Sequence, residues 1–207
     1  EEEFADSRFQ VLSELTRLRQ LCCDPALVYE NYEGGSAKLD LCIELIQSAV
    51  ESGHKILLFS QFTSMIEILT ARLQEESISC FVLQGSTKKE QRAQMVEQFN
   101  RDDTSVFCIS LKAGGTGLNL TGADIVIHYD PWWNVAVENQ ATDRAHRIGQ
   151  KNVVTVYKLI AKGTIEEKII KLQQMKKELA EEILSGDEIK TASFQREELL
   201  ELLEERF

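Results

Sequence analysis

Apolar residues recur along this chain in two alternating rhythms, and the alternation predicts the architecture. Residues 8–23 (RFQVLSELTRLRQLCC) place Leu12, Leu15, Leu18 and Leu21 or Cys22 at helical spacing. Asp24-Pro25 ends that helix, because a residue before proline is pushed out of helical geometry. Tyr29–Gly35 is a polar linker, and Ser36 predicts an N-cap for a helix burying Leu39, Ile43, Ile46 and Val50 and stopping near Gly53. The rhythm changes at KILLFS (55–60), a short continuous apolar run suited to a strand covered on both faces. Helical spacing returns over 62–76 through Met65 or Ile66, Leu69 and Leu73, and ISCFVL (78–83) reads as the next strand. Thr87-Lys-Lys-Glu90 has the pattern of a capping box and opens a helix through Phe99. TSVFCIS (104–110), DIVIHY (124–129) and NVVTVYKLI (152–160) predict three further strands, with a helix over 135–148 between the last two. Thr164-Ile-Glu-Glu167 caps a long helix carrying Ile165, Ile169, Leu172, Leu179 and Ile183, and a Leu-rich helix over 194–206 follows an acidic segment.

Strands alternating with helices predict an α/β fold with a mainly parallel sheet flanked by helices. Three parts follow: a helical N-terminal extension and linker (1–35), the α/β domain (36–162), and a C-terminal helical brace with an acidic tail (163–207). In such sheets ligands sit beyond the carboxyl ends of the strands, so the residues that carry chemistry should follow strands.

Composition narrows the class. With 207 residues, 43% of them hydrophobic, and only 2 Pro and 11 Gly, the chain is neither disordered nor fibrous. No run approaches the roughly 20 apolar residues of a membrane helix, so no membrane partner is expected. No signal-peptide pattern opens the chain, and its first residue is Glu, so it reads as a piece of a longer polypeptide. Cys22, Cys23, Cys42, Cys80 and Cys108 lack zinc spacing and sit among apolar neighbours, which fits buried free thiols in a reducing cytoplasmic or nuclear compartment. The net charge of −11 argues against nucleic acid until its distribution is considered. Residues 1–34 and 163–207 each carry −5, and residues 35–162 only −1. A nearly neutral domain can still bind phosphates with backbone N–H groups and a few placed cations.

Three segments carry candidate chemistry. Ser110-Leu-Lys-Ala-Gly-Gly-Thr-Gly117 directly follows a strand. Its glycines let the backbone approach a phosphate, and Thr116 and Lys112 add a hydroxyl and a charge; the segment also suits a plain tight turn. Only six residues separate Gly117 from Asp124, about half the dozen or so a crossover helix needs, so a dinucleotide fingerprint fits poorly. In Gln140-Ala-Thr-Asp-Arg144-Ala-His-Arg147-Ile-Gly-Gln150, helical spacing would align Gln140, Arg144 and Arg147 in one row. That row suits either a solvated face with an Asp143–Arg147 pair or a forked clamp on a triphosphate. His146 has no second ligand nearby and reads as a packed histidine, and no metal site is expected. Asp130-Pro-Trp-Trp133 holds both tryptophans, suited to packing and, ahead of the arginine segment, to coupling it to a bound partner.

Taken in order, FSQFTSMIEIL (59–69), LQGS (83–86), SLKAGGTGLNLTGAD (110–124), DPWWNVAVENQ (130–140) and QATDRAHRIGQ (140–150) resemble the motifs of the Swi/Snf-type DNA-translocase family of helicase superfamily two. The matching region is the C-terminal RecA-like lobe, and the resemblance covers about residues 10–185. One departure is Val135 where the family usually has Pro, which removes a fixed φ at a helix start.

The resemblance implies an ATP-driven translocase of double-stranded DNA, with ATP and Mg²⁺ held mainly by an N-terminal RecA-like lobe of the same polypeptide and a DNA-bound protein complex as a further partner. It implies that Arg144 and Arg147 reach the γ-phosphate across the cleft, with Arg147 the better finger candidate. Gln140, Gly115, Thr116 and Gly117 fall at the nucleotide or interlobe surface. Ser60, Gln61, Ser86, Ser110 and Lys112 fall in segments that touch the DNA backbone, and Trp132 and Trp133 at the coupling position. No GxxxxGK[ST] loop and no Asp-Glu pair after a strand occur, so the chain alone is expected to be inactive. Rival readings are a catalytically silent DNA-docking or regulatory module, and a self-sufficient nucleotide-binding enzyme built on the Gly-rich loop.

Overall fold

Asp24 and Ser36 set the first boundaries, each by capping. The computed structural model describes residues 2–184 except 112, 114–116, 147–149 and 151. Helix α1 (Glu2–Cys23) stops before Pro25, and Asp24 caps a 3-10 turn (Pro25–Leu27) by accepting from the Ala26 N–H at 2.8 Å. The Ser36 hydroxyl accepts from the Leu39 N–H at the start of α2 (Ala37–Glu51) and donates to the Cys23 carbonyl at 3.0 Å. Tyr129 Oη donates to the same carbonyl at 2.9 Å, so the end of α1 is satisfied from two distant elements.

The alternation then runs as β1 (Ile56–Ser60), α3 (Thr63–Glu75), β2 (Cys80–Leu83), α4 (Lys89–Arg101), β3 (Val106–Ser110), β4 (Ile125–His128), α5 (Val135–Thr142), β5 (Thr155–Lys158) and α6 (Ile165–Leu184). The strands form one parallel sheet in the order β2-β3-β1-β4-β5. Every residue of β1, β3 and β4 is buried, as continuous apolar runs require when helices cover both faces. β5, at the edge, is exposed along its length.

The pleat divides the core. Ile56, Leu58, Val106, Cys108 and Ile127 meet Cys42 and Ile46 of α2 and Met65, Ile66 and Leu69 of α3. Leu57, Phe59, Phe107, Ile109 and Val126 meet Phe99 of α4, Ala141 of α5 and the loop residues Leu118 and Leu120. A third cluster, Leu15 with Ile165 and Ile169, joins α1 to α6, and a buried Lys38–Glu166 ion pair joins α2 to α6. Leu12 and Leu18, expected on the packed stripe of α1, are 51% and 37% exposed. All five cysteines are free thiols.

Two helix boundaries differ from expectation. The Thr87–Glu90 capping box does not form: α4 is preceded by Lys88 as N-cap, without a side-chain cap bond. The Thr87 hydroxyl instead accepts from the Gln84 N–H at 3.1 Å, which folds the loop back on itself. Helix α5 ends at Thr142 rather than 148, so it does not carry Gln140 and Arg144 as one helical row, and Arg147 lies outside the described residues. In the turn that follows, the Arg144 N–H donates to the Ala141 carbonyl at 3.2 Å and the Arg144 carbonyl accepts from the Leu120 N–H at 3.0 Å. The expected Leu-rich helix over 194–206 lies outside the described residues.

The cap of α6 is a shifted version of the predicted one. Thr164 Oγ1 accepts from the Glu166 N–H at 3.2 Å, and Glu167 accepts from the Gly163 N–H at 2.9 Å.

Candidate functional site

In a parallel sheet the strands end together, and here β1 and β3 end in register at Ser60 and Ser110. The neighbouring carboxyl end, that of β4, leads into Asp130. The chain leaves β1 toward β2 on one side and β4 toward β5 on the other, so the crevice between them is the expected ligand position.

Ser60 is fully buried, and its hydroxyl donates to Asp130 Oδ1 at 2.5 Å rather than facing solvent. The Gln61 N–H also donates to this carboxylate, at 3.3 Å. Gln61 is half-buried, and its Nε2 lies buried without a hydrogen-bond partner among the described residues. Ser110 is 1% exposed, and its Oγ likewise has no partner among the described residues. Two polar groups are therefore left over at the tops of adjacent strands, where burial without a partner costs free energy. Ser86 is exposed at the tip of the loop after β2, which Arg92 of α4 ties down through the Thr87, Gln84 and Gly85 carbonyls.

Beyond β3, Lys112, Gly115 and Thr116 lie outside the described residues, as does Arg147. Gly117 is described and exposed, with φ +50, a left-handed conformation that glycine adopts without a Cβ penalty. The segment after it is fastened to the arginine segment from both ends. Arg144 supplies its carbonyl to Leu120, and Gln150 Nε2 donates to the Ala123 carbonyl at 2.6 Å and the Thr121 carbonyl at 3.2 Å. The residues flanking Arg147 are thus tied to the chain leaving the Gly-rich loop. On its other side the same chain lies against the end of α4: the Gly122 N–H donates to Asn100 Oδ1 at 2.9 Å, and a Cβ at Gly122 would meet the Asn100 Cα at 3.1 Å. Arg144 itself is 2% exposed, whereas Gln140 is exposed on α5.

The Asp-Pro-Trp-Trp segment is gripped from three elements. Arg19 Nη2 of α1 donates to the Pro131 carbonyl at 2.7 Å, and its guanidinium lies 5.2 Å from the Trp133 ring and 5.7 Å from the Phe62 ring. Glu138 of α5, 1% exposed, accepts from the Trp132 N–H at 3.0 Å and from Lys158 Nζ of β5 at 2.9 Å. Gln173 of α6 donates to the Trp132 carbonyl. Of Arg19, Glu138, Gln173 and Asp130, the sequence marks only Asp130, as the first residue of the Asp130-Pro-Trp-Trp133 segment. Asp130 carried a readable signal, an acid closing an apolar strand; the other three gave none that separates them from ordinary helix-surface polar residues.

Burial perturbs two titrating groups in opposite directions. Desolvation raises Asp130 to about 6, against the Ser60 hydrogen bond, the charges of Arg19 and Lys38, and the Gln61 N–H. Desolvation lowers His128 to about 4, opposed by Glu138 and aided by Lys158, and its Nε2 contacts Thr142 Oγ1 at 3.0 Å. As pH falls from about 6.5 to 4, the folded state binds a proton at Asp130 more readily than the unfolded chain and gains stability. At His128 it binds less readily and loses stability. Each contribution is on the order of 3 kcal/mol and they largely cancel. Asp130→Asn is therefore expected to lose stability on acidification across that window more steeply than the parent, as read from urea midpoints. Parallel pH profiles would show that Asp130 does not titrate there.

Among the described residues no three His, Cys, Asp or Glu side chains gather as metal ligands, and no helix is long and apolar enough to cross a membrane. At the strand ends the Gln61 amide and the Ser110 hydroxyl each carry a hydrogen-bond donor.

Comparison with known proteins agrees with this geometry. Residues 37–149 match the helicase conserved C-terminal domain. An uncharacterized ATP-dependent helicase of Mycoplasma pneumoniae is 45% identical over 202 residues, covering 96% of this chain and 19% of that protein. The human chromatin-remodeling ATPase INO80 is 43% identical over 169 residues, covering 81% of this chain and 11% of that protein. The chain thus spans a fifth or less of the length of these curated relatives. Among solved structures, the Sulfolobus solfataricus SWI2/SNF2 ATPase C-terminal domain superposes with a TM-score of 0.71 at 33% identity, covering 94% of this chain and 81% of that one. The SWI2/SNF2 ATPase core from the same organism, solved in complex with dsDNA, gives 0.70 at 38% identity, covering 86% of this chain and 38% of that one. The five-stranded parallel sheet, the motif-bearing strand ends and these matches together show that the chain belongs to the helicase conserved C-terminal domain family, as a SWI2/SNF2-type C-terminal RecA-like lobe.

Proposed function

We propose that this chain is the second motor lobe of an ATP-dependent translocase of double-stranded DNA, of the type that remodels chromatin or other protein–DNA complexes. The observation that carries the reading is the pair of unpartnered buried groups, Gln61 Nε2 and Ser110 Oγ, at the ends of neighbouring strands. Once the loops that cover them move aside, they would donate to phosphate oxygens of one DNA strand, without contact to base edges. Ser60 serves the same segment indirectly: with its hydroxyl held by Asp130, it orients Gln61. Lys112 adds a charge after β3, and Ser86 adds a hydroxyl after β2.

ATP with Mg²⁺, held mainly by the N-terminal lobe of the same polypeptide, supplies the phosphoryl group that is transferred to water. Arg147 reaches across the cleft toward the charge that develops during transfer, and Arg144, buried three positions earlier in the chain, fixes the segment that carries it. Gln140, exposed on α5, and residues Gly115, Thr116 and Gly117 meet the nucleotide or the other lobe. The bonds from Leu120 to Arg144 and from Gln150 to Thr121 and Ala123 make the Gly-rich loop and the arginine segment move as one unit. Cleft closure on ATP and reopening after hydrolysis then alternate the grip on the DNA. Relatives named as an ATP-dependent helicase and a chromatin-remodeling ATPase, and a structural neighbour solved with dsDNA, support this reading.

The DNA interface is tested by Lys112→Gln in the full-length polypeptide, with affinity measured on two unrelated duplexes at several salt concentrations. Affinity is expected to fall equally on both, and the log–log salt slope to drop by about one, because one fewer counterion is released. Gln61→Ala is expected to weaken binding while hardly changing the slope, since an uncharged donor releases no counterion. A Lys112→Gln variant with unchanged slope, or with an altered preference between duplexes, would remove this loop from the phosphate contacts.

A further inference from the structure

Arg19 lies outside the matched residues 37–149, yet it is 4% exposed and reaches the heart of the site. Its guanidinium touches two segments that leave different strands. Phe62, one residue past Gln61, belongs to one of them, and Trp133 and the Pro131 carbonyl belong to the other. Asp130 closes the arrangement from behind: it accepts from Ser60 Oγ and from the Gln61 N–H, and its charge and that of Arg19 act on each other. Packing alone needs no cation here. An apolar side chain of similar length would fill the space beside the two aromatic rings without the desolvation that burial of a guanidinium costs. What a planar guanidinium adds is a fixed orientation, with faces that lie on rings and a donor aimed at one carbonyl.

We propose that Arg19 is a positioning residue that locks the Gln61–Phe62 segment to the Pro131–Trp133 segment, so that DNA contact at the first is transmitted through α5 to the arginine segment. The proposal rests on the motor-lobe reading above. Gln61 is held to Asp130, Asp130 begins the Trp segment, Trp132 is bonded to Glu138 of α5, and α5 leads directly into Arg144. Arg19 is the cross-brace on this path, and because it comes from α1 it lets the N-terminal extension set how stiffly the path is held.

The test measures kcat for ATP hydrolysis by the full-length polypeptide, without DNA and with saturating duplex DNA, for the parent, Arg19→Lys and the Arg19→Met/Asp130→Asn double variant. Lys keeps a charge near Asp130 but lacks the plane and the fork. The double variant removes both charges, so its folding does not suffer from an uncompensated buried carboxylate. In both variants, with cooperative melting showing a folded protein, the ratio of DNA-stimulated to DNA-free kcat is expected to fall about fivefold or more, the scale of ordinary coupling between sites. A parental ratio in either folded variant overturns the proposal and leaves Arg19 as a charge partner of Asp130 alone. A parent polypeptide that shows no DNA stimulation would instead contradict the motor-lobe reading, so the two failures are distinct.

Discussion

Changing Arg147 to Ala in the full-length polypeptide is expected to lower kcat for DNA-stimulated ATP hydrolysis by about 10³–10⁵-fold, with KM for ATP close to the parental value. The reason is where the charge appears. A finger arginine meets negative charge that grows on the transferring phosphoryl group, so its loss removes transition-state stabilisation and leaves ground-state binding nearly intact. Lys at 147 is expected to recover little, because a point charge cannot make two parallel hydrogen bonds to the equatorial oxygens. Steady-state kinetics over a range of ATP concentrations reads both parameters. A kcat within a few-fold of the parent would reduce Arg147 to a surface partner of Asp143.

The second large effect is on stability. Asp130→Ala is expected to destabilise this chain by about 3–5 kcal/mol at pH 7, measured by urea unfolding. The variant strands three groups at once: the Ser60 hydroxyl and Gln61 N–H lose their acceptor, and the buried Arg19 loses the charge that offsets its own desolvation. Asp130→Asn is expected to cost clearly less, since an amide oxygen still accepts from Ser60 and Gln61, and loss of the carboxylate charge relieves the burial that raises its pKa. Equal costs for Ala and Asn would mean that the hydrogen bonds to this side chain contribute nothing measurable.

What could be read from the sequence divides along a physical line. Features set by neighbours in the chain were legible: the Ser36 cap, the stop at Asp24-Pro25, the apolar runs of β1, β3 and β4, and the motif-bearing loops that follow strands. Features set by contacts between distant residues were not. Arg19 and its acceptor Pro131 are 112 positions apart, and nothing near position 19 marks it off from Arg17 on the same helix. Helix α5 ends at Thr142, and just beyond it the Arg144 carbonyl accepts from Leu120, a tertiary bond that no local propensity encodes. Glu138 reads as a solvated helix residue until Trp132 and Lys158 are seen to bury it. Thr87 and Glu90 have the spacing of a cap, but the Gln84 N–H takes the hydroxyl first.

The central claim, half of an ATP site on a DNA-tracking lobe, is tested most directly by phosphate release with and without duplex DNA, from this chain alone and from the polypeptide that contains both lobes. The account predicts DNA-stimulated release from the two-lobed polypeptide and none from this chain, which lacks the phosphate-binding GxxxxGK[ST] loop. Robust DNA-dependent release from this chain alone would contradict it.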